Sequence, residues 1–211
     1  MTADLSSKDT AYTEVFLPPH NDTTYFTLPI GLQMFHLLSH ERGTGGESQL
    51  VNGIAAAHVL KQKDADAFDV LCKTKLMAHA SGNEGVMLEP VSAFSVFNVD
   101  PITDRLVSVR WNPADRTFVL PGDHSTHAED VEKWYDAAEK YQNILNDRTN
   151  RSTFYEFKLQ PGRPVMFDNW KLMHGRSSFT GSRKMCGGYI DHDYFMSTCR
   201  ALGFKHQNGQ L

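Results

Sequence analysis

The sequence predicts a mainly β fold, an antiparallel barrel or jelly roll with inserted and flanking helices, rather than a doubly wound sheet. Short runs of β-branched and aromatic residues recur along the chain, and glycine and proline turns separate them. Only a few segments have helical spacing, and they interrupt the strands instead of alternating with them regularly. The 211 residues have the usual size of one domain.

The first half of the chain predicts strands, a turn and two short helices. Residues 1–19 end in Pro18-Pro19, which predicts a stiff extended start. Residues 23–38 are rich in β-forming side chains but contain Pro29 and Gly31, which indicates strands with a bend. A glycine-rich turn is predicted next, over 42–47, and then a strand over 48–52. Two helices follow over 53–72, divided near Lys63-Asp64, and further strands are predicted over 75–79, 88–98 and 105–111.

The second half contains the clearest helix of the sequence, over residues 125–148. Thr126 and Glu129 have the spacing of a capping box at its start. Its apolar residues recur at helical spacing and predict one buried face, which consists of Val131, Trp134, Tyr135, Ala138 and Leu145. Strands are predicted over 154–159, 165–167 and 184–191, and a last helix over 193–202, which Gly203 ends.

Composition and charge exclude several classes of function. The chain is 40% hydrophobic and has a formal net charge of −4, so nothing favours binding to nucleic acid or to an anionic membrane surface. No apolar run is long enough for a transmembrane helix. Residues 1–16 have neither the apolar core of a secretory signal nor the arginines of a mitochondrial transit peptide. These features favour the cytoplasm, with the mitochondrion as the alternative.

The motif that carries chemistry is His20-Asn21-Asp22. Residues i and i+2 of an extended segment point the same way, so this imidazole and this carboxylate can face one metal ion. A third ligand has to come from elsewhere in the chain, and His174 is the candidate. Two histidines and one carboxylate, with open positions opposite, form the facial triad of non-haem Fe(II) oxygenases. The same ligands also suit zinc, so a zinc hydrolase is an alternative.

The surroundings of this motif resemble the pattern of the taurine/2,4-D dioxygenase superfamily. Ser48 lies 26 positions after Asp22, and Arg183 lies nine positions after His174. Longer stretches are similar to the γ-butyrobetaine/trimethyllysine branch of that superfamily, namely residues 19–26, 31–36, 43–46, 167–176 and 179–189. The short spacing between His174 and Arg183 suits the trimethyllysine side of the branch better.

The resemblance implies a double-stranded β-helix and an Fe(II)- and 2-oxoglutarate-dependent hydroxylation of a small trimethylammonium amino acid. The implied substrates are dioxygen and N6,N6,N6-trimethyllysine, on the route to carnitine, with γ-butyrobetaine or a related compound as the alternative and ascorbate as an optional reductant. His20, Asp22 and His174 are the implied metal ligands, and Ser48 and Arg183 the implied anchors of 2-oxoglutarate. Arginine suits this role because its planar guanidinium matches a carboxylate in two hydrogen bonds.

The residues that would bind the substrate follow from the same resemblance. A trimethylammonium group cannot donate a hydrogen bond and is usually held by aromatic faces. Tyr189 falls where the family places an aromatic cage residue, and Tyr25 and Trp111 are further candidates. Asn112 lies in a stretch that resembles the family segment contacting the polar end of the substrate. Ordinary core packing is the alternative for each of the aromatic side chains.

Only 19 residues precede His20, whereas the resemblance implies a longer region there. We therefore expect residues 1–211 to be a single oxygenase domain that lacks the amino-terminal family domain and is incomplete at the N-terminal end. An alternative function is an inactive truncated homologue that acts as a binding module. An open sheet edge would also be compatible with a homo-oligomer.

Overall fold

The computed structural model describes residues 13–81, 84–117 and 128–204. The strands of this part of the chain are β1 Leu17–His20, β2 Leu32–Glu41, β3 Ser48–Asn52, β4 Lys75–Leu76, β5 Ala80–Ser81, β6 Met87–Leu88, β7 Phe94–Ser95, β8 Phe97–Val99, β9 Leu106–Val109, β10 Phe154–Phe157, β11 Val165–Asp168, β12 Leu172–Arg176 and β13 Ser182–Ile190. The helices are α1 Gly53–Lys63, α2 Ala65–Lys73, α3 Ala128–Leu145 and α4 His192–Ala201.

Two antiparallel sheets position the candidate site. The first has the strand order β1-β12-β3-β10, and the second has the order β11-β2-β13. In the first sheet β12 lies between β1 and β3, so His174 is paired in register with both His20 and Leu50. The described residues thus confirm a mainly β fold with inserted helices, and their strands form separate sheets rather than a closed barrel.

Alternation along the strands decides which layer each side chain faces. Met173 of β12 and Val51 of β3 are fully buried and belong to the hydrophobic core on the helical side of the first sheet. His174 follows Met173, so its side chain lies on the opposite face of the sheet. The rings of Phe35 and Phe167, which belong to the second sheet, lie 5.1 and 5.4 Å from the His174 ring. His174 therefore lies between the two sheets.

The main hydrophobic core is formed by the first sheet and the helices α1, α2 and α3. Its centre is Tyr141 of α3, whose ring meets Phe97 and Trp111 edge-on at 4.9 and 5.2 Å. The buried hydroxyl of Tyr141 donates a hydrogen bond of 3.1 Å to the Gly53 carbonyl. The long helix thus fixes the junction between β3 and α1.

The strand prediction for residues 23–38 is wrong in its first part. Residues 23–31 contain no strand, residues 23–28 form turns and bends, and a single strand then runs from Leu32 to Glu41. The Phe26 amide donates to the Thr23 carbonyl at 2.9 Å, and Thr23 has a φ of 57°, which closes a turn where the composition favoured a strand.

The two short helices and the strand before them are confirmed. β3 has the predicted bounds, and Asp64 separates α1 from α2. The Asp64 side chain accepts a hydrogen bond of 2.9 Å from the Ala67 amide, which is a typical N-cap.

The predicted apolar face of α3 is correct at Trp134, Ala138 and Leu145, which are all buried. Tyr135 is 36% exposed, whereas Tyr141, which the prediction omitted, is fully buried. The buried stripe follows positions 134, 138, 141 and 145, and Tyr135 lies about 100° around the helix from Trp134. The helix is described from Ala128 onwards, so Thr126 of the predicted capping box lies outside the described residues.

Candidate metal centre

The structure brings the three predicted metal ligands together. The rings of His20 and His174 have centroids 4.3 Å apart across the β1–β12 pair. Oδ1 of Asp22 lies 3.4 Å from Nε2 of His20 and 3.6 Å from Nε2 of His174. One ligand atom from each residue lies within 4.8 Å of the other two. In the described part of the chain this is the one group of three such side chains that could hold a metal ion. This donor set fits a single ion held by two imidazoles and one carboxylate.

The two histidines are oriented by different means. Nδ1 of His20 lies 2.8 Å from the Pro18 carbonyl, which can only accept, so Nδ1 carries the proton and Nε2 keeps its lone pair for a metal. Nδ1 of His174 is buried and has no hydrogen-bond partner within the described ranges. Packing against Phe35 and Phe167 orients this second ring.

Burial and neighbouring charges shift the pKa of each ligand. Burial lowers the pKa of His174 to about 3, against the attraction of Asp22. Burial also acts to lower the pKa of His20, but the hydrogen bond and the charge of Asp22 outweigh it, so this pKa is raised. Burial acts to raise the pKa of Asp22, but the two histidines and the Tyr189 hydroxyl hold it well below its usual range. At neutral pH Asp22 is an anion and His174 is uncharged, which are the forms that bind a metal.

Two buried asparagines fix the backbone around Asp22. The Asn21 side chain donates to the Asn169 carbonyl at 2.7 Å and accepts from the Trp111 amide at 3.0 Å. Oδ1 of Asn169 accepts from the Asp22 amide at 3.0 Å, and its Nδ2 donates to the carbonyls of Asp22 and Ile30 at 3.1 and 3.2 Å. The sequence reasoning missed both roles, although both asparagines lie inside the motifs that carried the resemblance.

The predicted anchor Arg183 is a buried cation on β13, with an exposed fraction of 9%. Its guanidinium lies 5.6 Å from the Phe179 ring, and the guanidinium of Arg176 lies 4.7 Å from the same ring. Burial and the charge of Arg176 lower the pKa of Arg183 to about 10, so it stays charged at neutral pH. Among the described residues no carboxylate forms an ion pair with Arg183. A carboxylate ligand would supply the missing partner.

The chain just before Ser48 passes close to Arg183. A Cβ atom added to Gly46 would lie 3.6 Å from Nε of Arg183. Ser48 is also the register partner of Arg176, which places it on the face of the first sheet that carries His174. The position of Ser48 is therefore compatible with its predicted role, which stays a prediction.

The candidate substrate residues lie in different surroundings. Tyr189 is 57% exposed, and its hydroxyl donates to Oδ2 of Asp22 at 2.8 Å, so its ring lies beside the metal ligands. Trp111 instead lies in the hydrophobic core, where it packs on Tyr141 and donates through Nε1 to Gln142 at 3.2 Å. Core packing therefore accounts for the indole of Trp111 without a substrate contact.

Asn112 and Tyr25 make local contacts. Nδ2 of Asn112 donates to Asp115 at 2.7 Å, and its Oδ1 accepts from the Ala114 amide at 3.1 Å, so the side chain stabilises a turn. Tyr25 contacts the neighbouring ring of Phe26 edge-on at 5.4 Å. Their substrate contacts stay predictions.

Comparison with known proteins assigns the family. Residues 2–189 match the family described as taurine catabolism dioxygenase TauD, TfdA family. The chain belongs to this family. The resemblance inferred from the motifs is thereby confirmed.

Curated relatives include trimethyllysine dioxygenases. The protein of that name from Neurospora crassa is 40% identical, over 96% of this chain and 48% of its own length. "Trimethyllysine dioxygenase, mitochondrial" of Homo sapiens is 36% identical, over 97% of this chain and 47% of its own length. Gamma-butyrobetaine dioxygenase of Homo sapiens is 29% identical, over 97% of this chain and 52% of its own length. The chain spans about half the length of the curated relatives it matches.

Solved structures of oxygenases share the fold. Asparagine oxygenase in complex with Fe(II), 2S,3S-3-hydroxyasparagine and succinate has a TM-score of 0.61 at 16% identity, over 85% of this chain and 51% of its own. A taurine dioxygenase from Burkholderia xenovorans has a TM-score of 0.55 at 16% identity, over 82% of this chain and 56% of its own. At such identities the likeness shows the fold alone, and it confirms the predicted jelly-roll class.

Proposed function

We propose that this chain is the oxygenase domain of an Fe(II)- and 2-oxoglutarate-dependent dioxygenase that converts N6,N6,N6-trimethyllysine to its 3-hydroxy product in carnitine biosynthesis. The observation that carries the proposal is the grouping of His20, Asp22 and His174 in a chain of the TauD family. Identities of 36–40% to trimethyllysine dioxygenases, against 29% to gamma-butyrobetaine dioxygenase, favour trimethyllysine over γ-butyrobetaine.

Each residue of the site has a distinct task in this proposal. His20, Asp22 and His174 would hold Fe(II), which when bound supplies the oxidative chemistry that amino-acid side chains lack. Arg183 would bind the distal carboxylate of 2-oxoglutarate through two parallel hydrogen bonds, and Ser48 would add its hydroxyl. The ring of Tyr189 would contact the trimethylammonium group of the substrate. Ascorbate would serve as a reductant.

The zinc hydrolase alternative uses the same three ligands but gives Arg183 no task. A buried guanidinium with no acidic partner among the described residues favours a carboxylate-bearing co-substrate, which a hydrolase does not need. Replacing Fe(II) by Zn(II) separates the two functions, because turnover should be lost with zinc if the chain is an oxygenase.

The test is the anaerobic absorbance of the purified protein with Fe(II) and 2-oxoglutarate. We expect a visible charge-transfer band, which His174→Ala should lack and which His58→Ala, at an exposed position of α1, should keep. Succinate formation with trimethyllysine and with γ-butyrobetaine would then identify the substrate. A folded wild-type chain that gives no band would overturn the proposal and favour the binding-module alternative, which predicts association that rises with concentration.

The compartment and the oligomeric state stay predictions. In the part of the chain that the structure describes, no helix combines the length and the apolar character needed to cross a membrane. The names of the Bos taurus and Homo sapiens relatives include the word mitochondrial, which supports the mitochondrion as an alternative to the predicted cytoplasm. Sedimentation at two protein concentrations would test the predicted homo-oligomer.

A further inference from the structure

The two carboxylate oxygens of Asp22 have different surroundings. Oδ1 faces Nε2 of His20 and Nε2 of His174. Oδ2 accepts two hydrogen bonds instead, from Nε2 of Gln33 at 2.6 Å and from the hydroxyl of Tyr189 at 2.8 Å. Two donors on one oxygen restrict rotation of the carboxylate group. Oδ1 is thereby left for a metal, while Oδ2 is engaged by the protein.

Both donors come from one row of the second sheet. Gln33 lies in β2, the central strand, and its register partners are Tyr189 on β13 and Phe167 on β11. Paired residues of antiparallel strands project to the same face, so the amide and the phenol reach Asp22 side by side. The register of this sheet therefore places both donors at Oδ2, whereas Asn21 and Asn169 fix the backbone that carries Asp22.

Gln33 is an unfavourable choice for a residue that only fills space. Its side chain is 1% exposed, and its Oε1 is buried without a hydrogen-bond partner within the described ranges. A buried acceptor left without a partner costs about 1–3 kcal/mol, which an apolar side chain of similar size would avoid. Rotating the amide by 180° would place Oε1 against the Asp22 carboxylate. This is unfavourable because both oxygens are hydrogen-bond acceptors. The position thus requires the amide for its donor.

We propose that Gln33 is a positioning residue that makes Asp22 a one-oxygen metal ligand, with Tyr189 as its weaker helper. This inference rests on the proposed metal site. Partners that hydrogen-bond to a metal ligand fix its orientation, and their loss typically weakens metal affinity about 10–100-fold. Tyr189 contributes less because it is 57% exposed, and water can replace its hydroxyl.

The experiment compares two buried glutamines in neighbouring sheets. Gln33→Met removes the donor at Asp22, and Gln49→Met, at an equally buried position of β3, removes a hydrogen bond of 3.0 Å to Glu156. Co(II) affinity is measured by anaerobic calorimetry, the coordination of Asp22 by the Co(II) d–d absorption, and the fold by the melting temperature of the metal-free protein. We expect Gln33→Met to weaken Co(II) binding about 10–100-fold and to change the spectrum. Gln49→Met should leave both unchanged.

The melting temperature separates a positioning role from a structural one. If Gln33 positions Asp22, metal-free Gln33→Met melts close to the wild-type protein, because removal of the unpartnered Oε1 offsets the loss of the hydrogen bond to Asp22. If it does melt lower, Tyr189→Phe decides, since this variant keeps the ring and loses only the hydroxyl. A Co(II) affinity in Tyr189→Phe that is weaker than wild type, by less than in Gln33→Met, then supports the inference, and an unchanged affinity overturns it.

Failure of this inference can be told apart from failure of the proposed function. Wild-type protein that binds no Co(II) would overturn the metal site itself. Wild-type protein that binds Co(II), together with Gln33→Met that binds it equally well and with the same spectrum, would overturn only the role of Gln33.

Discussion

Two charged clusters of the sheet region differ in how their charges are satisfied. The metal cluster consists of His20, Asp22 and His174 with the donors Gln33 and Tyr189, and its carboxylate has partners on both oxygens. The arginine cluster consists of Arg176, Phe179 and Arg183, and it buries two cations on one ring while the described residues offer Arg183 no acid. The carboxylate of the first cluster has its partners within the protein, whereas the counter-charge of Arg183 would come from the proposed 2-oxoglutarate.

The largest expected effect breaks the metal cluster. His174→Ala removes one of three ligand atoms, so Co(II) affinity should fall by more than the roughly 100-fold that loss of an outer partner causes. Anaerobic calorimetry measures this change, with His58→Ala on the exposed side of α1 as the control. Retention of wild-type affinity would mean that these three side chains are not the metal site.

The next effect concerns the arginine cluster, where one substitution should weaken ligand binding without lowering the stability of the fold. Arg183→Met should weaken 2-oxoglutarate binding by about 3 kcal/mol, roughly 100-fold, because two hydrogen bonds between charged groups are lost. The same change should leave the free energy of unfolding equal or higher, since a buried cation is removed. Titration with 2-oxoglutarate and urea unfolding measure these two effects, with the half-exposed Arg148→Met as the control. Unchanged affinity with lower stability would assign Arg183 a structural role.

A smaller effect is expected where the metal cluster is tied to the second sheet. Asn169→Ala removes three hydrogen bonds to the backbone of Asp22 and Ile30, so the free energy of unfolding should fall by about 2–3 kcal/mol. Asn98→Ala, at an exposed position, should change it by less than about 0.5 kcal/mol. Equal effects of the two substitutions in urea unfolding would contradict this account of Asn169.

The smallest effect lies in the helical core, away from both clusters. Tyr141→Phe removes the hydroxyl that donates to Gly53 and should lower the free energy of unfolding by about 1 kcal/mol. Co(II) and 2-oxoglutarate affinities should not change. Weaker binding of either ligand in this variant would show that the core and the clusters are coupled.

The predictions that the structure supports are those in which local spacing and chemistry coincide. The H-x-D motif and the wider motifs that include His174 predicted three side chains that the structure does bring together, although Asp22 lies in a turn just after β1 and not on the strand. The division of α1 and α2 at Asp64 was predictable for the same reason, because a cap acts over three residues. The single-domain prediction and the incomplete N-terminal end stay predictions.

The residues that the sequence did not predict depend on contacts between distant strands. Gln33 faces Asp22 only because β2 has its particular register with β11 and β13, which no local pattern encodes. A glutamine among the apolar residues of a strand was the available signal. The aromatic character of Trp111 and Tyr189 suggested one task for both, but Trp111 lies in the core and Tyr189 lies beside the candidate metal ligand Asp22.

The pairing of β1 with β12 also sets the order in which the site can form during folding. His20 and His174 are register partners although most of the chain lies between them. Contacts between such distant residues form slowly, because a long loop must close before they stabilise the chain. A metal ion that needs both histidines therefore finds no site in early, locally ordered states. Added Co(II) should leave the refolding rate unchanged and lower the unfolding rate. Its whole effect on the free energy of unfolding would then come from slower unfolding.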